Sequence, residues 1–284
     1  ELKGEISQRQ PWSEVGVDDL KAAGENALAT GPFGSSVGSR FFQTDGVPLI
    51  RGNNLSDDGQ THLIDNGFVF LSEKKAAEFR RSTVVKGDLI FTCWGTINQV
   101  GLISERATYP RYIISNKQMK FTPDRRKADS LFLFYLFSSA QLQRQIRIHS
   151  IGTSIPGFNL GRLRALRFRL PALPEQRTIA AALSDVDILI DALDKLIAKK
   201  RDIKQAAMQQ LLTGQTRLPG FSGEWSLLSI AEKSILKARI GWQGLTTAEY
   251  LPSGDYYLVT GTDFENGRVN WGNCCFVDER RFSQ

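Results

Sequence analysis

Apolar positions between Pro174 and Gly214 keep a register found nowhere else in the chain. Ile179, Leu183, Val186, Ile190, Leu193 and Ile197 recur at alternating steps of four and three. Those steps return to one side of a helix with 3.6 residues per turn, so the six side chains form a stripe of the kind through which helices pair. Pro174 suits a first helical turn, Glu175 complements the amino-terminal dipole, and Thr213-Gly214 followed by Pro219 ends the pattern. Asp185, Asp187, Asp191 and Asp194 precede Lys195, Lys199, Lys200, Arg201 and Lys204, an order that offsets the helix dipole and sets Asp191 one turn from Lys195. A helix of roughly 40 residues is on the order of 60 Å long, more than one compact domain needs. The pattern predicts a spacer.

Before the rod the pattern is short and irregular. Val17–Ala23 has a helical look, Val47-Pro48-Leu49-Ile50 reads as a strand, and Phe68-Val69-Phe70 as another. Ser72 caps a predicted amphipathic helix running to Arg81, and Thr83–Thr92 reads as two strands hinged at Gly87-Asp88. Val100–Ser104 and Tyr112–Phe121 continue the sheet, Ser130–Ile148 reads as one helix, and Leu163–Leu170 as a strand. Short strands with interspersed helices predict an α+β domain with a mixed or antiparallel sheet and flanking helices, followed by the long coiled-coil-type helix.

Beyond the rod the chain begins again. Gly31 and Gly34 match Gly241 and Gly244, Leu49–Leu55 aligns with Leu258–Phe264, and Asp58-Gly59 with Asn266-Gly267, at offsets of 208 to 210 residues. A register held across several motifs favours a duplicated domain over chance similarity of turns. The expected organisation is residues 1–170 as a first domain, 171–214 as the spacer helix, 215–225 as a linker and 226–284 as the incomplete start of a second copy, so that a fragment is expected.

Composition narrows the partners. The 284 residues are 41% hydrophobic with 17 Phe, enough for a large core. No run of about 18 apolar residues is present to span a membrane, and no basic-then-apolar leader opens the chain, so a cytoplasmic location is expected. Three cysteines with Cys274 and Cys275 adjacent make no metal-binding spacing, and His62 and His149 read as ordinary surface or capping residues. The net charge is +6, yet residues 106–169 hold 13 Lys and Arg against Asp124 and Asp129 alone, a local +11 against −5 elsewhere. A basic block of this kind suits a polyanion, although a solvated basic face is the competing reading.

A family likeness is carried by TGPFGSS (30–36), VPLIRGNNL (47–55), VVKGDLIFT (84–92), WGTI (94–97), YIISNKQMK (112–120), GTSIPGFNLG (152–161), LPALPEQRTIAAALSDVD (170–187), QLLTGQTRLPGFSGEW (210–225) and GDYYLVTGTDFENGRVNW (254–271). With these motifs the chain resembles the specificity subunit of type I restriction-modification systems. The resemblance implies that each target-recognition domain reads one half of a split sequence in double-stranded DNA. Long helices then pair, set the gap between the halves and dock the modification (methyltransferase) subunits. It implies no catalytic residue and no metal here, with S-adenosylmethionine, ATP and magnesium held by the modification and restriction subunits. The chain carries no GxGxxG after a strand, no GxxxxGK[ST], no HExxH and no Asn/Asp-Pro-Pro-aromatic motif. A stand-alone DNA methyltransferase or nuclease is the enzymatic alternative, and a structural coiled-coil adaptor the other.

Reading bases requires hydrogen-bonding side chains on exposed loops. The candidates are Ser35 and Ser36; Arg51, Asn53 and Asn54; Thr96, Asn98 and Gln99; and Asn116, Lys117 and Gln118. For each, an Asx turn or a satisfied loop amide is the competing role. Arg144, Arg147, Arg162 and Arg164 are the phosphate candidates, joined by Thr153, Ser154 and Asn159 in the Gly/Pro loop. Trp94 is expected in the core, with stacking on a splayed base as its second role. The stripe Ile179, Leu183, Val186, Ile190, Leu193 and Ile197 is the expected pairing surface, open to a homodimer.

Overall fold

Runs of consecutive apolar residues make most strands of the first unit, and such runs belong to strands covered on both faces. A computed structural model describes residues 12–150, 157–235 and 244–283. The chain divides into two units, residues 1–205 and 206–284. In the first, chain order is β1 (Ser13–Gly16), α1 (Val17–Leu20), β2 (Leu28–Thr30), β3 (Val47–Ile50), β4 (Val69–Leu71), α2 (Glu73–Ala77), β5 (Thr83–Val84), β6 (Leu89–Thr92), β7 (Val100–Leu102), β8 (Tyr112–Ile114), β9 (Gln118–Phe121), α3 (Ser130–Ser138), α4 (Ala140–Ile148), α5 (Leu160–Ala165), β10 (Arg167–Leu170) and α6 (Leu173–Leu212).

Two four-stranded sheets form, in orders β2-β9-β6-β7 and β4-β3-β8-β5, with β1 and β10 paired separately. Every pairing is antiparallel except β3 with β8. Period-two alternation then explains the layering. Leu89 and Phe91 of β6 enter the largest apolar cluster while Ile90 between them enters a second. Tyr112 and Ile114 of β8 enter that same second cluster, and Ile113 enters a third. Each sheet is thus packed on both sides, which is why LIFT and YII read as unbroken apolar runs. Phe137 of α3 closes the largest cluster edge-on against Phe91 and Phe168, with centroids 5.0 and 5.3 Å apart.

The fold class is α+β as expected, and several elements depart from the sequence pattern. Residues 130–148 form two helices: Ser139 is extended, and its hydroxyl caps α4 by accepting from Leu142 N at 3.4 Å. The stretch 163–170 is the end of a helix and then a strand, with Asn159 Oδ1 accepting from Arg162 N at 3.1 Å to start α5. The helix after Ser72 ends at Ala77. Strands β5 and β6 are no hairpin, because they pair in different sheets.

The rod is one uninterrupted helix. Its first turns are embedded, with Gln176 and Ala180 buried and Ile179 packed against the largest cluster. From Leu183 to Met208 its large apolar side chains are exposed; Leu189, Leu196 and Ile203 widen the apolar face beyond the six-residue stripe, while Ile188 lies on the opposite side of the helix.

The second unit contains α7 (Ile230–Lys233), β11 (Tyr256–Leu258), β12 (Phe264–Glu265), β13 (Arg268–Val269), β14 (Cys275–Val277) and α8 (Glu279–Phe282). Its local structure repeats that of the first. Val47 pairs with Leu71 across β3 and β4, and Tyr256 with Val277 across β11 and β14. A three-residue helical turn follows each leading strand, Gly52–Asn54 in one unit and Gly261–Asp263 in the other. In each, the last side chain reaches back: Asn54 Oδ1 accepts from Arg51 N at 3.0 Å, and Asp263 Oδ2 from Thr260 N at 2.7 Å. Ser72 caps α2 and Asp278 caps α8 in the same relation to the partner strand.

Candidate nucleic-acid interface

Four loops that leave the carboxyl ends of β2, β3, β6 and β8 converge on one cleft of about 490 Å³. It is lined by Gly34 and Val37 from the first loop, Arg51 and Asn53 from the second, Trp94, Thr96 and Gln99 from the third, and Asn116 and Lys117 from the fourth. These are the four loops singled out by side-chain chemistry, and the parallel pairing of β3 with β8 places two of them at one end of a sheet. The first loop is drawn in by Gly31, whose backbone approaches so closely that a Cβ there would lie 1.9 Å from the Ser115 carbonyl oxygen. Any side chain at that position would break the contact.

The candidates divide by burial. Ser35, Ser36, Asn53, Thr96, Asn116 and Lys117 are exposed at or beside the cleft, and Arg51 is half-buried in its wall. Arg51 and Lys117 form no ion pair among the described residues, and Arg51 Nε and Asn98 Oδ1 are buried atoms without a hydrogen-bond partner there. Asn54 and Gln118 correct the sequence reading: both are fully buried. Asn54 Nδ2 donates to the Ile64 and Asn66 carbonyls at 3.1 and 2.9 Å, and Gln118 Oε1 accepts from Ser115 N and Oγ. They hold loops in place. Gln99 lines the cleft with its amide already engaged, accepting from Thr92 Oγ1 at 3.1 Å and donating to the Leu55 carbonyl at 2.9 Å. Asn159 is the cap of α5.

Trp94 reverses the expectation of a core residue. It is 53% exposed at the cleft, and its ring edge lies over Gly157, where a Cβ would stand 2.6 Å from Cζ3. Cys93 beside it is buried, which pushes its thiol up to about 12 and leaves it un-ionised.

Among the phosphate candidates, Arg144 and Arg147 are exposed, Arg162 is half-buried, Arg164 is exposed with its guanidinium 3.5 Å from Asp18, and Thr153 and Ser154 fall outside the described residues. None of the described ones lines the cleft. Part of the basic block serves the fold instead: Lys120 is buried with Nζ donating to the Thr83 carbonyl at 2.7 Å, and Lys127 Nζ donates to the Asp19 carbonyl at 2.8 Å. Burial pulls the Lys120 ammonium below its usual value and holds the neighbouring Asp88 carboxyl above its own.

A second, smaller cavity of about 250 Å³ lies where the domain meets the rod, lined by His62, Asp65, Arg106, Tyr135, Ser184 and Asp187 among others. His62 is no surface residue: its ring packs edge-on against Phe134 at 4.7 Å, and burial lowers its pKa, with Arg106 adding to the effect. The rod side of this junction lies in LPALPEQRTIAAALSDVD (170–187), while the residues facing it from the domain, His62, Asp65, Arg106 and Tyr135, carry no pattern in the sequence. Gln176 is its anchor, accepting from Asp129 N at 2.9 Å and donating to the Pro171 and Lys127 carbonyls at 2.8 and 3.2 Å. Among the described residues no helix is long and apolar enough to cross a membrane.

Comparison with known proteins agrees with this architecture. Residues 41–204 match the family model of the type I restriction modification DNA specificity domain. The chain is 25% identical over 200 residues to the type I restriction enzyme EcoBI specificity subunit of Escherichia coli, covering 66% of this chain and 41% of that one. It is 31% identical over 106 residues to the MjaVIII specificity subunit of Methanocaldococcus jannaschii, covering 37% and 25%. The crystal structure of a type I restriction-modification S subunit from M. genitalium shares the fold at a TM-score of 0.51 and 16% identity, over 89% of this chain and 60% of that one. The chain spans about half or less of the length of the curated relatives it matches. With the model covering more than half of its residues, this chain belongs to the type I restriction modification DNA specificity domain family.

Proposed function

We propose that the first unit reads one half of a bipartite DNA target, and that the chain acts in the cytoplasm as the non-catalytic recognition part of a type I restriction-modification enzyme. The observation that carries this is the cleft. Three of its four loops, separated in sequence, bring Arg51, Asn53, Thr96, Asn116 and Lys117 to one surface, and guanidinium and amide groups are those that read base edges. Exposed Arg144 and Arg147, with the half-buried Arg162, are the phosphate contacts that position the duplex. The repeated strand-and-turn frame of the second unit begins the domain for the other half-site. The exposed apolar face of the rod receives another helix, and a second copy of the chain can supply one. Modification subunits dock there, and with the restriction subunit they hold S-adenosylmethionine, ATP and magnesium. Selection from a randomised duplex library by the purified chain tests the reading: a short block of fixed sequence is expected among the retained duplexes, and recovery of a random pool would overturn it.

A further inference from the structure

Phe33 is 83% exposed, more than any other large apolar side chain described in the first unit. Its loop has little slack. Thr30 pairs with Met119 in the sheet, Gly31 N donates to the Gln118 carbonyl at 3.0 Å, Ser82 Oγ donates to the Thr30 carbonyl at 2.9 Å, and Ser36 N returns to the Phe33 carbonyl at 3.0 Å. The ring is therefore held out from the domain by its mount. Single exposed apolar residues are common on protein surfaces, so exposure alone assigns nothing. The surroundings decide. Gly34 and Val37, just beyond Phe33, line the cleft together with Arg51, Lys117 and the exposed Trp94. The other neighbours along the loop, Ser35, Ser36, Ser39 and Arg40, are polar and exposed, which is a poor apolar patch for a protein partner.

A protruding planar apolar ring beside unpaired cations and amides matches one ligand class. Duplex DNA offers phosphates to the cations, base edges to the amides, and base steps into which Phe side chains insert as wedges. We propose that Phe33 is such a wedge, entering the base stack of the duplex seated in the cleft and partly unstacking one step of the half-site. This rests on the DNA-reading function above and adds a deformation to it: part of the sequence preference comes from how easily that step opens.

Duplexes of the selected sequence, with 2-aminopurine placed at each half-site position in turn, test the wedge. Binding of the unaltered chain is expected to raise fluorescence at one position. Phe33→Ala is expected to abolish the rise and weaken binding by about fivefold or more, with an unchanged circular dichroism spectrum because the ring supports no packing. Phe33→Trp is expected to keep the rise. A bound duplex without any rise, or a rise that survives Phe33→Ala, overturns the wedge and leaves the DNA-reading function standing. A chain that selects no sequence at all overturns both.

Discussion

The Tyr135 hydroxyl donates to Asp187 Oδ2 across 2.6 Å, tying α3 of the domain to the rod. Gln176 makes the other tie, and the two points lie about 16 Å apart along the helix axis. One contact would leave a pivot; two fix a direction. Tyr135→Phe keeps the ring packing and removes the hydroxyl, so it should cost about 1 kcal/mol and let the rod swing. Spin labels on α3 and near Lys195 should report a broader distance distribution. Gln176→Ala strips partners from one buried and two part-buried backbone groups and should cost about 2 kcal/mol in denaturant unfolding.

Adjacent asparagines in the second cleft loop should separate reading from folding. Asn53 points to solvent at the cleft, so Asn53→Ala should leave the melting temperature unchanged while altering base preference at one position by roughly 1–3 kcal/mol. Asn54→Ala removes the brace of the same turn and should lower stability by about 2 kcal/mol or more. Library selection and thermal melting on the two variants check the pair.

His62 should make the first unit sensitive to acid. Its folded pKa lies below the ordinary 6.5 because burial disfavours the imidazolium. The unfolded chain then takes up the proton first as pH falls. The stability contributed by the neutral ring is complete above 6.5 and is lost as pH drops through the lowered folded value. His62→Phe, which keeps the contact with Phe134, should flatten the fall in stability below pH 6.5 in urea titrations.

Arg144 is exposed on α4 without an ion pair among the described residues. Arg144→Ala should weaken binding to all duplexes alike and reduce the slope of log K against log salt by about one. Fluorescence anisotropy across a salt series measures it. An unchanged slope would remove Arg144 from the phosphate contacts.

The periodic parts of this fold were legible from residues alone. Pro174 and Thr213-Gly214 bracket the rod to within two residues at each end, and the alternating steps of four and three between them mark its apolar face. The loops that build the cleft were legible from Gly, Asn and Ser punctuation. Which of their side chains point outward was not: Asn54 and Asn53 are indistinguishable in sequence, and the Ile64 and Asn66 carbonyls that bury one of them lie ten residues or more away. Trp94 failed for a related reason. A Trp in a strand-rich segment suits a core, but Cys93 already occupies the buried position, and the glycine under the indole lies 63 residues further on. The pattern of residues 130–148 predicts one helix because the apolar run hides Ser139, whose extended backbone separates two capped helices.

The turn at Arg51–Asn54 and its counterpart at Thr260–Asp263 have a consequence for how new specificities arise. In each, the residue that holds the backbone faces inward and the residues that differ, Arg51 and Asn53 against Thr260 and Thr262, lie before it on the same frame. The bonds from Arg51 N and Thr260 N to that residue do not depend on which side chains the tips carry, so the tips can vary while the backbone brace holds, with the Thr260 hydroxyl's bond to Asp263 the one side-chain contact to the brace at stake. Selection for a new target would act on a surface whose stability is supplied elsewhere, making this turn a site of high evolvability.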